Sequence, residues 1–203
     1  QRQMCIRDSK RTAYAESKDG LRWTRPSLGQ VERGGDTNNS LLAMGPLGVH
    51  MANVLFDEHE TDPRGRYKMM FYGIPLDGSQ SGLPRCLNVA ASPDGLQWSL
   101  LRAPADAPFA YHPQKQPRKP NAGDANSLLG WVESRRRYVA FVKHGGAGAK
   151  LAPPGFRTVC LTESEDFLEW SQPISVLSPD EFDPPGAEFY YCLLYTSDAA
   201  DAL

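Results

Sequence analysis

Ser92-Pro93-Asp94-Gly95-Leu96-Gln97-Trp98 is written three times in this chain. Ser17-Lys18-Asp19-Gly20-Leu21-Arg22-Trp23 precedes it and Ser164-Glu165-Asp166-Phe167-Leu168-Glu169-Trp170 follows, so that Trp23, Trp98 and Trp170 are spaced by 75 and 72 residues. A fixed period of this size marks a repeated supersecondary unit. Short strand-like runs flank the central copy, Cys86 to Ala91 before it and Gln97 to Leu101 after it. Between them Pro presets φ, Asp caps the turn and Gly accepts positive φ, which predicts a hairpin. The Trp opens the outgoing strand, where a large ring can pack on a neighbouring unit. Phe167 takes the place of Gly in the third copy, and a bulky residue resists positive φ, so a different turn is expected there.

Working outward, the units carry a common order. Ala52-Asn53-Val54-Leu55 aligns with Ala125-Asn126-Ser127-Leu128, and Arg66-Tyr67-Lys68-Met69-Met70-Phe71 with Arg137-Tyr138-Val139-Ala140-Phe141-Val142. Each unit reads strand, polar turn, Arg-Tyr strand, Ser-x-Asp hairpin. Thr12–Glu16 and Leu21–Thr24 read as the last hairpin of an earlier unit, and Ala187-Glu188-Phe189-Tyr190-Tyr191 as the opening of a later one. The stretch from Pro104 to Ala122 is Pro-rich and reads as a long surface loop. Strand formers come in short runs among many Gly and Pro, and no segment sustains a helical period. The fold class expected is all-β, and four short antiparallel strands repeated around an axis are the blades of a β-propeller. A period near 73 residues gives about two and a half blades.

The ends read differently from the middle. Codons for Met4–Ser9 and Cys192–Ser197 can be written as near reverse complements of one another, which resembles the mosaic end of a sequencing transposon adapter. Residues 1–9 and 192–203 are therefore expected to be adapter-derived and 10–191 to be a partial propeller, as in a metagenomic fragment. Cys86 and Cys160 are then the native cysteines. Neither has zinc-ligand spacing, and both sit in apolar runs that suit buried thiols.

The net charge of −2 and the dispersed basic residues exclude a nucleic-acid footprint. Arg135-Arg136-Arg137 is the one basic run, and it reads as a hairpin tip. No apolar run approaches membrane-spanning length. The pattern calls for no cofactor and no metal, and nothing in it sets an oligomeric state.

The three hairpins, the Asp62-Pro63-Arg64-Gly65 turn before the Arg-Tyr-Lys strand, and Gly123-Asp124-Ala125-Asn126-Ser127 together resemble the five-bladed propeller glycoside hydrolases, the invertase-like family 32 and arabinanase-like family 43 enzymes. The resemblance implies a carbohydrate substrate, a furanosidic or fructosyl linkage, and a secreted or extracytoplasmic setting. It also implies acids at the heads of the inner strands, since glycosidic cleavage uses two carboxyl groups across the scissile bond. Asp124 and Glu188 are the catalytic candidates, Glu188 as an acid desolvated by Phe189 and Tyr190. Asp36, Asn39, Asn126, Lys143 and His144 are candidates for holding sugar hydroxyls, with Asn126 beside Asp124.

Against this, Asp124 also suits a turn cap, Asp36 a plain turn, Lys143 and His144 ordinary strand ends, and His50 a structural histidine. The Asn-Asp-Pro-Asn type motif that bears the nucleophile in invertase-like enzymes is absent. Asp62 matches the family's Arg-Asp-Pro motif only with its order scrambled, and no role is carried onto it. Two rival readings stand beside the hydrolase. One is a carbohydrate-binding or scaffold propeller without hydrolysis. The other is sialidase-like, disfavoured because the sialidase Asp-box is one residue longer and no arginine triad is visible.

Overall fold

The computed structural model describes residues 11–77, 80–107, 122–145 and 157–189, and the side chains of residues 122–124 and 144–145 lie outside that description. The stretches read as adapter-derived also fall outside it. The chain is all-β. Strands β1 (Leu47–Phe56), β2 (Tyr67–Pro75), β3 (Cys86–Ser92) and β4 (Ser99–Leu100) form one antiparallel sheet in sequence order. Strands β5 (Ala122–Val132), β6 (Arg137–Gly145), β7 (Arg157–Ser164) and β8 (Ile174–Leu177) form a second with the same order.

The sheets stack face to face in a propeller-like arrangement, and the apolar pattern shows why. Along β6, Tyr138, Ala140 and Val142 point to one side and Val139 and Phe141 to the other, and all five are buried. A strand buried on both faces reads as a continuous apolar run rather than an alternating one. Tyr138, Ala140, Val142, Cys160, Phe167 and Trp170 of the second sheet meet Met70, Leu87 and Val89 of the first. Met69 and Phe71 face the opposite way, onto Met44, Leu47 and Val49. Val139, Phe141, Val159 and Leu161 form a third layer, against which Phe189 packs. Cys86 and Cys160 are free and buried, as the sequence predicts. Burial pushes the Cys86 thiol up to about 12, so it remains protonated.

All three Ser-x-Asp copies fold into one turn. Asp19, Asp94 and Asp166 each accept through Oδ1 from the amides two and three residues on, at 2.8 to 2.9 Å. Each Trp indole donates to the carbonyl three residues back, Trp23 to Gly20, Trp98 to Gly95 and Trp170 to Phe167. Backbone amides hold the carboxyls of Asp19 and Asp94 below the usual range, the amides of Arg22 and Gln97 contributing most. The expectation of a different third turn is corrected here: Phe167 has φ 65, beside 74 at Gly20 and 75 at Gly95. Its ring is fully buried, edge-on to Tyr138 at 5.2 Å and to Trp170 at 5.5 Å. Ring burial offsets the backbone penalty.

Among the described residues the earlier unit is represented by single bridges such as Glu16 to Thr24 and Ala13 to Leu41. It is tied to the first sheet by Gln30, whose Nε2 donates to the Leu96 carbonyl at 3.1 Å. The same tie recurs one unit on, where Arg102 Nε donates to the Leu168 carbonyl at 3.2 Å. Both ties join residues 66 apart and both end on a Ser-x-Asp turn. The Arg135–Arg137 run is a hairpin tip, with Arg135 paired to Glu163 and Arg137 to Glu165.

Candidate functional site

The two inner strands β1 and β5 are interrupted at the same place. In β1 the register slips between His50 and Asn53, which pair with Tyr72 and Met70, so one extra residue bulges out. In β5 it slips between Ala122 and Asn126, which pair with His144 and Val142. Bulges re-aim side chains and are common beside active sites. Met51, inside the first bulge, has φ 51, a conformation rarely taken by a residue with a side chain and one that must be held by its surroundings.

What holds it is a reciprocal amide clasp. Asn126 Nδ2 donates to the Met51 carbonyl at 2.8 Å, and Asn53 Nδ2 donates to both the carbonyl and the Oδ1 of Asn126 at 2.9 Å. Asn126 is 1% exposed. The clasp therefore joins the irregular middle of β1 to the irregular head of β5 as one rigid element. Asn126→Leu is expected to cost about 2 kcal/mol, because two bonds are lost and the Met51 carbonyl is left unpaired, while Asn53 keeps its bond to the backbone carbonyl of residue 126. Urea denaturation measures it. Adding Asn53→Leu should cost less than the sum of the two single changes, since both sever one interaction.

The residues singled out in the sequence are spread over several elements. Asp124 lies in β5 within the irregular stretch, and His144 lies on β6 opposite Ala122. Their side chains are outside the described residues. Lys143 is half-buried on β6 opposite Val159. Glu188 stands beside the third strand, where Phe189 N donates to the Arg157 carbonyl, and its carboxylate pairs with Arg157 at 3.2 Å. It is about a third exposed, at 35%. Asn126 spends its carboxamide on the clasp. Asp36 is in an exposed turn with Arg33, its Oδ1 accepting from Asn38 N. Asn39 holds its own loop, donating to the Val31 carbonyl and accepting from Leu41 N.

A second polar constellation lies at the opposite, turn-bearing ends of the strands, and it has no counterpart in the sequence reading. Lys68 is 4% exposed on β2. Its Nζ donates to Glu60 at 2.8 Å and to the Gly65 carbonyl at 3.3 Å, and lies 3.5 Å from Asp57. Asp57, 3% exposed, accepts from the Tyr138 hydroxyl of the next sheet at 2.5 Å and from His59 N at 3.0 Å. The rings of Tyr138 and Phe167 stand 5.6 and 5.5 Å from the ammonium. Burial raises the Tyr138 pKa and the bond to Asp57 raises it further, so the hydroxyl stays a donor. A groove of about 620 Å³ opens over Lys68, lined by Glu60, Asp62, Gln97 and Asp166 among others. Two of its carboxylates are paired with cations, Asp62 with Arg64 and Glu60 with Lys68, and that of Asp166 is held by its own turn's amides. The constellation is a latch between sheets. Lys68 was hidden from sequence reading because a lysine in a strand reads as a solvent-facing position; the nearest signal is the repeated Arg-Tyr that places Tyr138.

No family model matches this chain, and no curated protein is similar to it. Among solved structures it is similar to an N-acetylgalactosamine deacetylase from F. plautii in complex with blood group B trisaccharide. The TM-score is 0.45 and the identity 12% over 80% of this chain, which spans 43% of that protein's length.

Proposed function

We infer that residues 10–191 are part of a glycan-active β-propeller, and that the clasped bulges of β1 and β5 border the mouth where a saccharide binds. The observation that carries this reading is the coincidence of two bulges on neighbouring inner strands, locked by Asn53 and Asn126. Rigid, irregular strand segments are what a site needs to aim polar groups at a sugar ring. The reaction proposed is hydrolysis of a glycosidic bond, furanosidic or fructosyl. Asp124 serves as a carboxylate at the scissile bond, Glu188 as its opposed partner, and Lys143 and His144 contact hydroxyls. Asp36 and Asn39 complete the polar rim from the preceding unit.

The test is Asp124→Asn assayed on a panel of arabinans and fructans. Turnover is expected to fall by about 100-fold or more with binding retained. Unchanged turnover would remove Asp124 from the mechanism.

A binding module without hydrolysis is the second reading, and the Arg157 pair favours it. The Glu188 carboxylate, paired with the Arg157 guanidinium, is placed to accept hydrogen bonds from sugar hydroxyls. Glycan binding by isothermal titration with no product from any substrate in the panel would select that reading.

A further inference from the structure

We propose that Asn53 is a specificity-determining contact of the saccharide site, its carboxamide oxygen accepting a hydrogen bond from a sugar hydroxyl. The proposal rests on the reading that the clasped bulges border the saccharide mouth, and it comes from which atoms of the clasp are already used. Asn53 and Asn126 hold the same position in successive units, Ala52-Asn53 and Ala125-Asn126, yet they are used differently. Asn126 is buried and engages both ends of its carboxamide, Nδ2 on the Met51 carbonyl and Oδ1 on Asn53. Asn53 is partly exposed and engages only Nδ2. Among the described residues nothing donates to its Oδ1.

Backbone atoms decide which way each amide faces. A carboxamide set against a main-chain carbonyl must present its NH2 there, since two oxygens would repel. The Met51 carbonyl imposes this on Asn126 at 2.8 Å, and the Asn126 carbonyl imposes it on Asn53 at 2.9 Å. The open side of the Asn53 amide is therefore an acceptor. Both hydrogen bonds from Nδ2 fix the plane of that amide, so a hydroxyl meeting Oδ1 binds without freezing a rotamer. The joint that holds Asn53 has both of its walls, β1 and β5, within the chain.

The chemistry of this contact sets the class of sugar. A fixed acceptor pairs with a hydroxyl donor and repels the carboxylate of a uronic acid or a sulfate ester. The ligand is therefore a neutral glycan with a free hydroxyl at this position, as arabinans and fructans have.

The test is isothermal titration of the 203-residue chain with arabino- and fructo-oligosaccharides and with the monodeoxy analogues of the one that binds. The unaltered chain should lose about two- to tenfold in affinity for one monodeoxy analogue, the range for a single neutral hydrogen bond. Asn53→Leu should bind the parent sugar more weakly by a similar factor and no longer distinguish it from that analogue. Asn53→His keeps a ring N–H for the Asn126 carbonyl and puts a C–H in place of Oδ1, so it should show the same loss of discrimination even where the leucine variant does not fold. A folded Asn53 variant that still discriminates the analogue would overturn the contact and leave the saccharide reading standing. So would an unaltered chain that binds the sugar but tolerates the loss of every hydroxyl singly. An unaltered chain that binds none of these oligosaccharides would overturn both.

Discussion

Lys68→Met is expected to lower the unfolding free energy by about 3–5 kcal/mol, the range for removing one partner of a buried ion pair. The methionine fills the volume of the lysine stem, so lost packing contributes little. What remains is the Asp57 carboxylate, 3% exposed, with the Tyr138 hydroxyl and the His59 amide to stabilise it and no cation. Adding Asp57→Asn removes the stranded charge and should recover part of the loss, with the double variant more stable than Lys68→Met alone in urea. Further loss in the double variant would show that the carboxylate's hydrogen bonds, not the ion pair, carry the latch.

The same latch sets an acid limit. The hydrogen bond from Lys68 holds the Glu60 carboxyl below its ordinary value of 4.5. A group whose folded pKa is depressed contributes stability that is present above its unfolded pKa and lost as pH falls through the folded one. Stability should therefore decline below about pH 4.5, and Lys68→Met should show a shallower decline. Urea midpoints at several pH values measure it.

The second large effect is at Phe167. Phe167→Ala should cost about 3–5 kcal/mol, because a fully buried ring is removed while the positive φ is kept. Phe167→Gly removes the same ring but relieves the backbone, so it should be the more stable of the two by about 1 kcal/mol. That order reverses the usual one for alanine and glycine. Thermal or urea unfolding decides it, and an alanine variant more stable than the glycine variant would mean the turn relaxes out of the left-handed region. Because the Phe167 ring lies 5.5 Å from Lys68 Nζ, the Phe167 and Lys68 changes should not be additive.

These two residues show where sequence reading stops. The period of the tryptophans, the Arg-Tyr strands and the two-faced apolar runs place the strands, because each is a local pattern repeated at a fixed interval. Phe167 defeats a local rule, since its φ is decided by a pocket made from Tyr138 and Trp170 and not by its neighbours in the chain. Lys68 defeats alternation for the same reason: Asp57 and Glu60 precede it, but the burial that makes them a latch comes from Tyr138 on another sheet. At the candidate site the equivalence of Asn53 and Asn126 is visible in the sequence. Their contact is not, because two residues at the same position of successive repeats are alike whether or not they touch. The bulges are legible only in the register, so the sequence points to the strand heads without showing how they are aimed.

The recurring ties of Gln30 and Arg102 bear on how such a chain grows. Each tie has its giving side chain in one unit and its receiving turn in the next, always 66 residues on. A tandem copy of the stretch from one Trp to the next therefore arrives carrying both a hand and a socket, and inserting it leaves no joint unmatched. Lengthening by duplication then requires no compensating change elsewhere, and the differences between copies, Gln for Arg or Phe for Gly, are free to accumulate afterwards. In this sense the joint rather than the blade is the heritable module.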